Sequence, residues 1–251
     1  MCCAALAQPS SAPLDAPGPP AIASNLLHHS LHIDLDPVKR FIKSSDRMRL
    51  PKAWVGQTLH FELNSGLSIT SSNLPISETL NEGAAPADAI GSPVAQEKKI
   101  KRYRVNVPAS FDGVLEIDYS GTIGDQSKPS SSEDVQGFAP SSGIISSEGV
   151  FLSRASVWVP LFNNDLITFD LSTQFAQSAS TWTTISQGQH FGQNGWYTQY
   201  PQEEVYLIAA KFTSYKENTG TVEAQAYLRT ADSNLATKYL DATARYLALY
   251  E

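Results

Sequence analysis

Cysteine is nearly missing from this chain. The two that exist, Cys2 and Cys3, are adjacent at the extreme N-terminus. They cannot staple a fold, and no Cys/His spacing of a structural zinc site accompanies them. An excess of basic charge is missing too. The formal net charge is -7, which argues against a nucleic-acid-binding face; an acidic surface by itself names no partner. No apolar run approaches the roughly 20 residues of a membrane-spanning helix. The chain has no His-Glu dipeptide for a zincin helix, no Gly-x-Ser-x-Gly nucleophile elbow and no glycine-rich phosphate loop. What remains is 251 residues, 41% hydrophobic and 17% charged, enough for one large or two small cores.

Two-residue periodicity dominates what is present. Residues 27–35 place His29, Leu31, Ile33 and Leu35 on one face and Ser30, His32 and Asp34 on the other, and Asp36-Pro37 turns the chain. Residues 41–50 pair back. Residues 58–63, with Leu59, Phe61 and Leu63 inward, lead through Asn64-Ser65-Gly66 to a short strand at Leu67 and Ile69. Further strands are predicted at 100–107, 114–119, 149–152, 156–159, 166–171, 182–185, 195–200, 205–215 and 222–228. The 205–215 run, VYLIAAKFTSY, is apolar on both faces at its centre and reads as one buried strand. Residues 71–96 and 120–142 read as surface excursions.

Helical periodicity appears once, at 232–251. Asp232 is a natural N-cap, because its carboxylate can accept from the free amides of a first turn. Leu235, Tyr239, Ala242, Tyr246 and Tyr250 recur at helical spacing, and Ala236, Leu240 and Leu247 widen the stripe. So broad an aromatic stripe needs something to pack on. It either closes the chain's own domain or opens a second one. The fold class expected is therefore all-β, a saddle-like β-sandwich of curved β-sheets, with one C-terminal α-helix.

The histidines invite a metal reading and do not support it. His28 and His32 share a strand face, but four residues at about 3.3 Å each separate them by roughly 13 Å. That is too far for one ion at about 2.1 Å per bond, and His29 points the other way. The expectation is three strand-surface histidines. His60 and His190 lack a Cys or acidic partner at ligand spacing. No metal ligand and no catalytic residue is assigned. The basic run 98–104, KKIKRYR, reads as a solvated strand face. Trp158, Trp182, Trp196, Tyr197 and Tyr200 either form a sugar-stacking surface or pack internally.

The first twenty residues resemble a processing segment followed by a Pro/Ala/Ser tether. Ala5-Leu6-Ala7 has the small-x-small form of a signal-peptidase site, though a basic n-region is missing. Either the true start lies upstream or the pattern is fortuitous. The first reading implies a secreted or periplasmic protein.

Four segments, taken in order, resemble the N-terminal domain of M1-family zinc aminopeptidases. The first is His28-His29-Ser30-Leu31-His32-Ile33-Asp34-Leu35-Asp36-Pro37. The second is Leu50-Pro51 followed by residues 59–69. The third is Ser156-Val157-Trp158-Val159-Pro160, and the fourth is the run 203–251. The resemblance covers roughly residues 27–251. It implies a saddle of β-sheets that walls the substrate cleft and limits access to peptide N-termini. It also implies a following gluzincin catalytic domain with Gly-x-Met-x-Asn and His-Glu-x-x-His, in which zinc-bound water attacks the peptide carbonyl. Neither motif lies in this chain: Glu217-Asn218 lacks the Gly-x-Met before it, and Met48 is the only internal methionine.

The implied organisation is a leader and linker over 1–20, the β domain over 21–230, and over 231–251 the first helix of a catalytic domain that the chain lacks. That domain and, in the intact enzyme, a peptide substrate are the implied partners, and zinc is the implied cofactor of the parent rather than of this chain. Glu148 is the nearest acidic residue for holding a substrate's amino terminus, but its flanks do not match the family's motif, so no substrate-binding residue is assigned. The competing reading, from another class, is a stand-alone β-sandwich that binds carbohydrate or protein.

Overall fold

The computed structural model describes residues 25–79, 100–124, 143–163, 166–219 and 222–250. The leader and tether, most of the 71–96 and 120–142 excursions, and Lys98 and Lys99 of the basic run lie outside these residues. The described strands, in chain order, are β1 (Leu27–Asp36), β2 (Phe41–Arg49), β3 (Thr58–Asn64), β4 (Leu67–Ser72), β5 (Ile76–Thr79), β6 (Ile100–Asn106), β7 (Val114–Thr122) and β8 (Ile144–Ser146). They continue with β9 (Gly149–Leu152), β10 (Ile167–Phe175), β11 (Thr183–Ile185), β12 (Gln189–Phe191), β13 (Gly195–Tyr197), β14 (Leu207–Ala210), β15 (Thr213–Thr219) and β16 (Val222–Leu228). One helix, α1 (Ser233–Tyr250), follows. The fold is all-β with a C-terminal helix.

The largest sheet has the order β12-β13-β10-β1-β2-β7-β4. Its one parallel pair is β1 with β10; its other pairs are antiparallel. The predicted alternation sets its faces. Leu27, His29, Leu31, Ile33 and Leu35 of β1 all point inward and are buried. On β2 the inward set is Ile42, Ser44, Asp46 and Met48; on β7 it is Leu115, Ile117 and Tyr119. A three-stranded sheet, β3-β6-β5, and a four-stranded one, β11-β14-β9-β8, join this face in a single core. Phe61 and Tyr103 stack within it at 5.3 Å, and Trp158 is its largest fully buried side chain.

One seam of the large sheet is set by backbone contact. A Cβ on Gly121 would lie 2.0 Å from the Gly66 carbonyl oxygen, and one on Gly66 would lie 2.2 Å from that of Thr122. Only hydrogen fits at either site while the Thr122 amide donates to the Gly66 carbonyl. Gly121→Ala must push β4 off β7. The expected cost is about 1–3 kcal/mol, read as a lower urea midpoint at unchanged slope.

The structure revises several sequence expectations. Residues 156–159 are not a strand. A 3-10 turn, Arg154–Ser156, closes on itself through reciprocal Ser153 and Ser156 side-chain bonds, and Val157 follows in the left-handed region at φ 47°. The 205–215 run is two strands in two sheets. β14 is buried as its apolar centre predicts, but beyond Phe212 the polar, exposed residues of β15 leave to pair with β16. Within the 71–96 excursion, β5 pairs with β6, and β7 runs three residues past Tyr119 into the 120–142 excursion. β5, β8 and β12 are strands of four residues or fewer and escape a periodicity reading.

α1 begins as predicted. The Asp232 carboxylate accepts from the Leu235 amide at 2.9 Å, and the Asp232 carbonyl accepts from Ala236. The helix packs on the β15–β16 hairpin, where Leu240 clusters with the small Ala224 and Ala226, and Ala236, one turn earlier, is buried. These helix residues are the flank of the predicted stripe. Its centre faces away: Tyr239 is 54% exposed and Tyr246 66%, with Leu249 beside them at 77%. Leu247 is half-buried.

Candidate functional site

The start of β1 is buried on both faces, and this overturns the expectation of surface histidines for His28 and His29, though not for His32. His28 is on the outer face yet only 4% exposed, because β10 lies beside it. Its Nδ1 meets Thr168 Oγ1 at 2.9 Å and its Nε2 meets Asp170 Oδ1 at 3.0 Å, where Ser30 Oγ also donates. His32, further along the same face, is exposed, and its Nδ1 meets Ser172 Oγ. Parallel pairing of β1 with β10 builds this polar ladder from residues about 140 apart in sequence, so no local pattern announces it.

His29 is on the inner face and 1% exposed. Its Nδ1 is 2.7 Å from Asp46 Oδ2, on a side chain equally enclosed. The antiparallel register sets Leu31 beside Asp46 and His29 beside Met48, while Ile117 of β7 flanks Asp46 from the other side. An ion-pairing couple thus sits in an aliphatic shell. Burial raises the Asp46 pKa above the ordinary carboxylate range, and the charge and hydrogen bond of His29 work against that rise. Asp46 Oδ1, Ser44 Oγ and Tyr119 OH are enclosed without a well-formed hydrogen bond. Burial, and next the Asp46 charge, push the Tyr119 hydroxyl well above its usual pKa, with a contact to Ser44 acting the other way.

A partly open cavity of about 40 Å³ reaches this couple from outside. His29 lines it together with the apolar side chains of Leu27, Trp54, Val157, Trp158, Phe162 and Ile167. The 153–162 segment is held in place from both sides. Asn64 takes the Val157 and Ser156 carbonyls, and Glu62 and Leu161 exchange backbone bonds at 2.8 and 2.9 Å. Trp158 Nε1 donates to the Val205 carbonyl at 3.1 Å. At the rim the Arg154 amide donates to Glu204 Oε2 and its guanidinium to the Glu203 carbonyl. The left-handed backbone at Val157, a β-branched residue disfavoured there, is what turns Trp158 inward beneath that rim.

The other residues considered from sequence do not converge. His60 is exposed. His190 is exposed, bonded to the Gln193 carbonyl and edge-on to Trp196 at 5.2 Å. Glu148 lies in the β8–β9 turn, where its carbonyl accepts from Arg229. In the basic run, Arg102 pairs with Glu62 across the β3–β6 ladder and Lys101 reaches the Leu67 carbonyl. The aromatic residues disperse: Trp158 is core, Trp196 bonds the Thr184 carbonyl, Trp182 packs on Phe175, and Tyr200 stands 74% exposed. Trp158 and Tyr197 are buried and cannot belong to an exposed stacking surface. Among the described residues no three His, Cys, Asp or Glu side chains gather at metal-binding distance. Sequence reasoning missed the His29–Asp46 couple. Its one visible signal was an Asp in the inward phase of residues 41–50.

No family model matches the sequence, and no curated protein matches it. Solved structures do resemble it. An aminopeptidase N family protein of Idiomarina loihiensis superposes with a TM-score of 0.54 at 11% identity, covering 88% of this chain and 36% of that one. An M1 zinc metallopeptidase of Deinococcus radiodurans gives 0.53 at 12% identity, covering 81% and 46%. A second structure of the Deinococcus enzyme, bound to a Tyr-Ser-Ala substrate, gives 0.52 at 11%. The chain therefore spans between 36% and 46% of the length of these neighbours. At such identities the likeness concerns fold: this all-β chain with its C-terminal helix has an architecture found within M1 aminopeptidase structures.

Proposed function

We propose that this chain is the N-terminal, non-catalytic β domain of an M1-like zinc metallopeptidase, shaping the cleft that receives peptide N-termini. The observation that carries the reading is the lopsided coverage: most of this chain matches, but less than half of each neighbour does. The exposed centre of the α1 stripe supports it. Tyr239, Tyr246 and Leu249 are large apolar side chains exposed along one helix; extended apolar surface of this kind often marks an interaction site, and a following catalytic domain is the partner that would cover them. On this reading zinc and the peptide-cleaving groups belong to that domain, and the parent is exported to the cell envelope or beyond.

The test uses the complete reading frame that contains this chain. The parent should carry His-Glu-x-x-His and Gly-x-Met-x-Asn after residue 251. It should hydrolyse aminoacyl 4-nitroanilides with one bound zinc, and lose that activity to a chelator. The present chain alone should do neither. Stoichiometric zinc with chelator-sensitive turnover in the present chain, or a parent without those motifs, overturns the proposal.

A further inference from the structure

The geometry points to a binding site for a small uncharged carbonyl compound, an amide or a ketone, in the cavity lined by His29, with the His29 Nε2–H donating to the carbonyl oxygen. The site stands on this cavity alone and does not depend on the peptidase reading.

The donor role follows from charge. The ring's Nδ1 is taken by Asp46 at 2.7 Å. Nε2 has no hydrogen-bond partner among the described residues, and His29 borders the cavity, so Nε2 is the polar atom it offers there. A net charge in the shell of Leu31, Met48 and Ile117 is costly. Two states of the couple carry none. In one, an imidazolium faces a carboxylate, and both ring nitrogens bear protons. In the other, a neutral imidazole faces a carboxylic acid whose proton is donated to Nδ1, so the ring's own proton is on Nε2. Nε2 is a donor in both. It becomes an acceptor only when neutral imidazole faces a bare carboxylate, and the buried position of Asp46 disfavours that state.

The rest of the cavity selects the ligand. Its walls, Leu27, Trp54, Trp158, Phe162 and Ile167, suit an apolar body. Among the described lining residues, two carboxylates, Glu203 and Glu204, stand with one cation, Arg154, so an anionic ligand meets net repulsion from them and a neutral acceptor does not. A volume of about 40 Å³ exceeds what one water needs. It admits the carbonyl end of a small ligand, with the remainder along the apolar mouth.

The probe is cyclopentanone, titrated into the full chain with ¹⁵N-labelled histidine, alongside methylcyclopentane and cyclopentanecarboxylate. Two-bond ¹H–¹⁵N spectra report which ring nitrogen is protonated. The expected result is a protonated Nε2 in the free protein that shifts saturably with cyclopentanone, at least tenfold more weakly with the hydrocarbon, and not with the carboxylate. Leu27→Trp, which fills the cavity and leaves the couple in place, should abolish the shift. An unprotonated Nε2, no saturable shift, or equal shifts from ketone and hydrocarbon overturns the site. A shift that survives in a folded Leu27→Trp protein also overturns it.

Discussion

His29→Leu should destabilise the fold by about 3–5 kcal/mol, the scale of breaking a buried ion pair by removing one partner. The remaining Asp46 is fully enclosed, and its Oδ1 already lacks a partner. Losing the imidazole strips Oδ2 as well, leaving a carboxyl group with no hydrogen bond in an apolar shell. Asp46→Leu alone should cost less, because His29 keeps one edge on the cavity. The double variant should recover much of the single-variant loss, since two aliphatic side chains suit Met48, Leu31 and Ile117 better than one orphaned charge. A double-mutant cycle in urea isolates the coupling. Additive effects would mean that the 2.7 Å contact contributes nothing.

The same couple gives a pH signature with an unusual sign. The folded-state pKa of Asp46 is raised above 3.8, by burial first, with His29 and His28 opposing and Asp170 adding to the rise. A carboxyl group whose folded pKa is raised contributes stability that is fully present below its unfolded pKa. That stability is lost as pH climbs through the folded value. The stability of the wild type relative to Asp46→Asn should therefore fall as pH rises from about 4. An ordinary salt-bridged aspartate shows the reverse. Paired urea titrations across the acid range decide between them.

How much of this was legible in the sequence depended on distance along the chain. β3, β6, β7 and the later part of β1 alternate cleanly because each buries one face, and their inward residues could be read directly. α1 and its Asp232 cap follow from local spacing. What was hidden depends on pairing. His28 is buried because β10, some 140 residues on, lies beside it in parallel register. His29 and Asp46 meet because the β1–β2 hairpin fixes their neighbours, a contact that alternation permits and does not announce. The division between β14 and β15 is invisible in an unbroken apolar run, since which sheet a residue joins is a tertiary choice. On α1, spacing found the amphipathic stripe but not the side that packs: the small Ala224 and Ala226 admit the helix at Leu240, and Tyr239 and Tyr246 turn outward.

Trp158→Ala should match the His29 effect, at about 3–5 kcal/mol, by a different route. Trp158 is 1% exposed and belongs to the core shared by the three larger sheets. Its removal leaves a void the size of an indole. Collapse to fill it is blocked, because the 153–162 segment is tied to β3 by the Asn64, Glu62 and Leu161 bonds. The Val205 carbonyl also loses its indole donor. Trp158→Phe separates the two contributions: it keeps much of the volume and drops the hydrogen bond, so it should recover more than half of the alanine loss. The variants also differ at the cavity. Alanine joins the void to the space above His29 and should raise solvent exchange at the His29 ring, whereas phenylalanine keeps the wall. Thermal unfolding and histidine-ring exchange on the pair check this together. If Trp158→Ala costs under about 0.5 kcal/mol, the range of ordinary surface substitutions, Trp158 is not the wall on which this end of the fold is built.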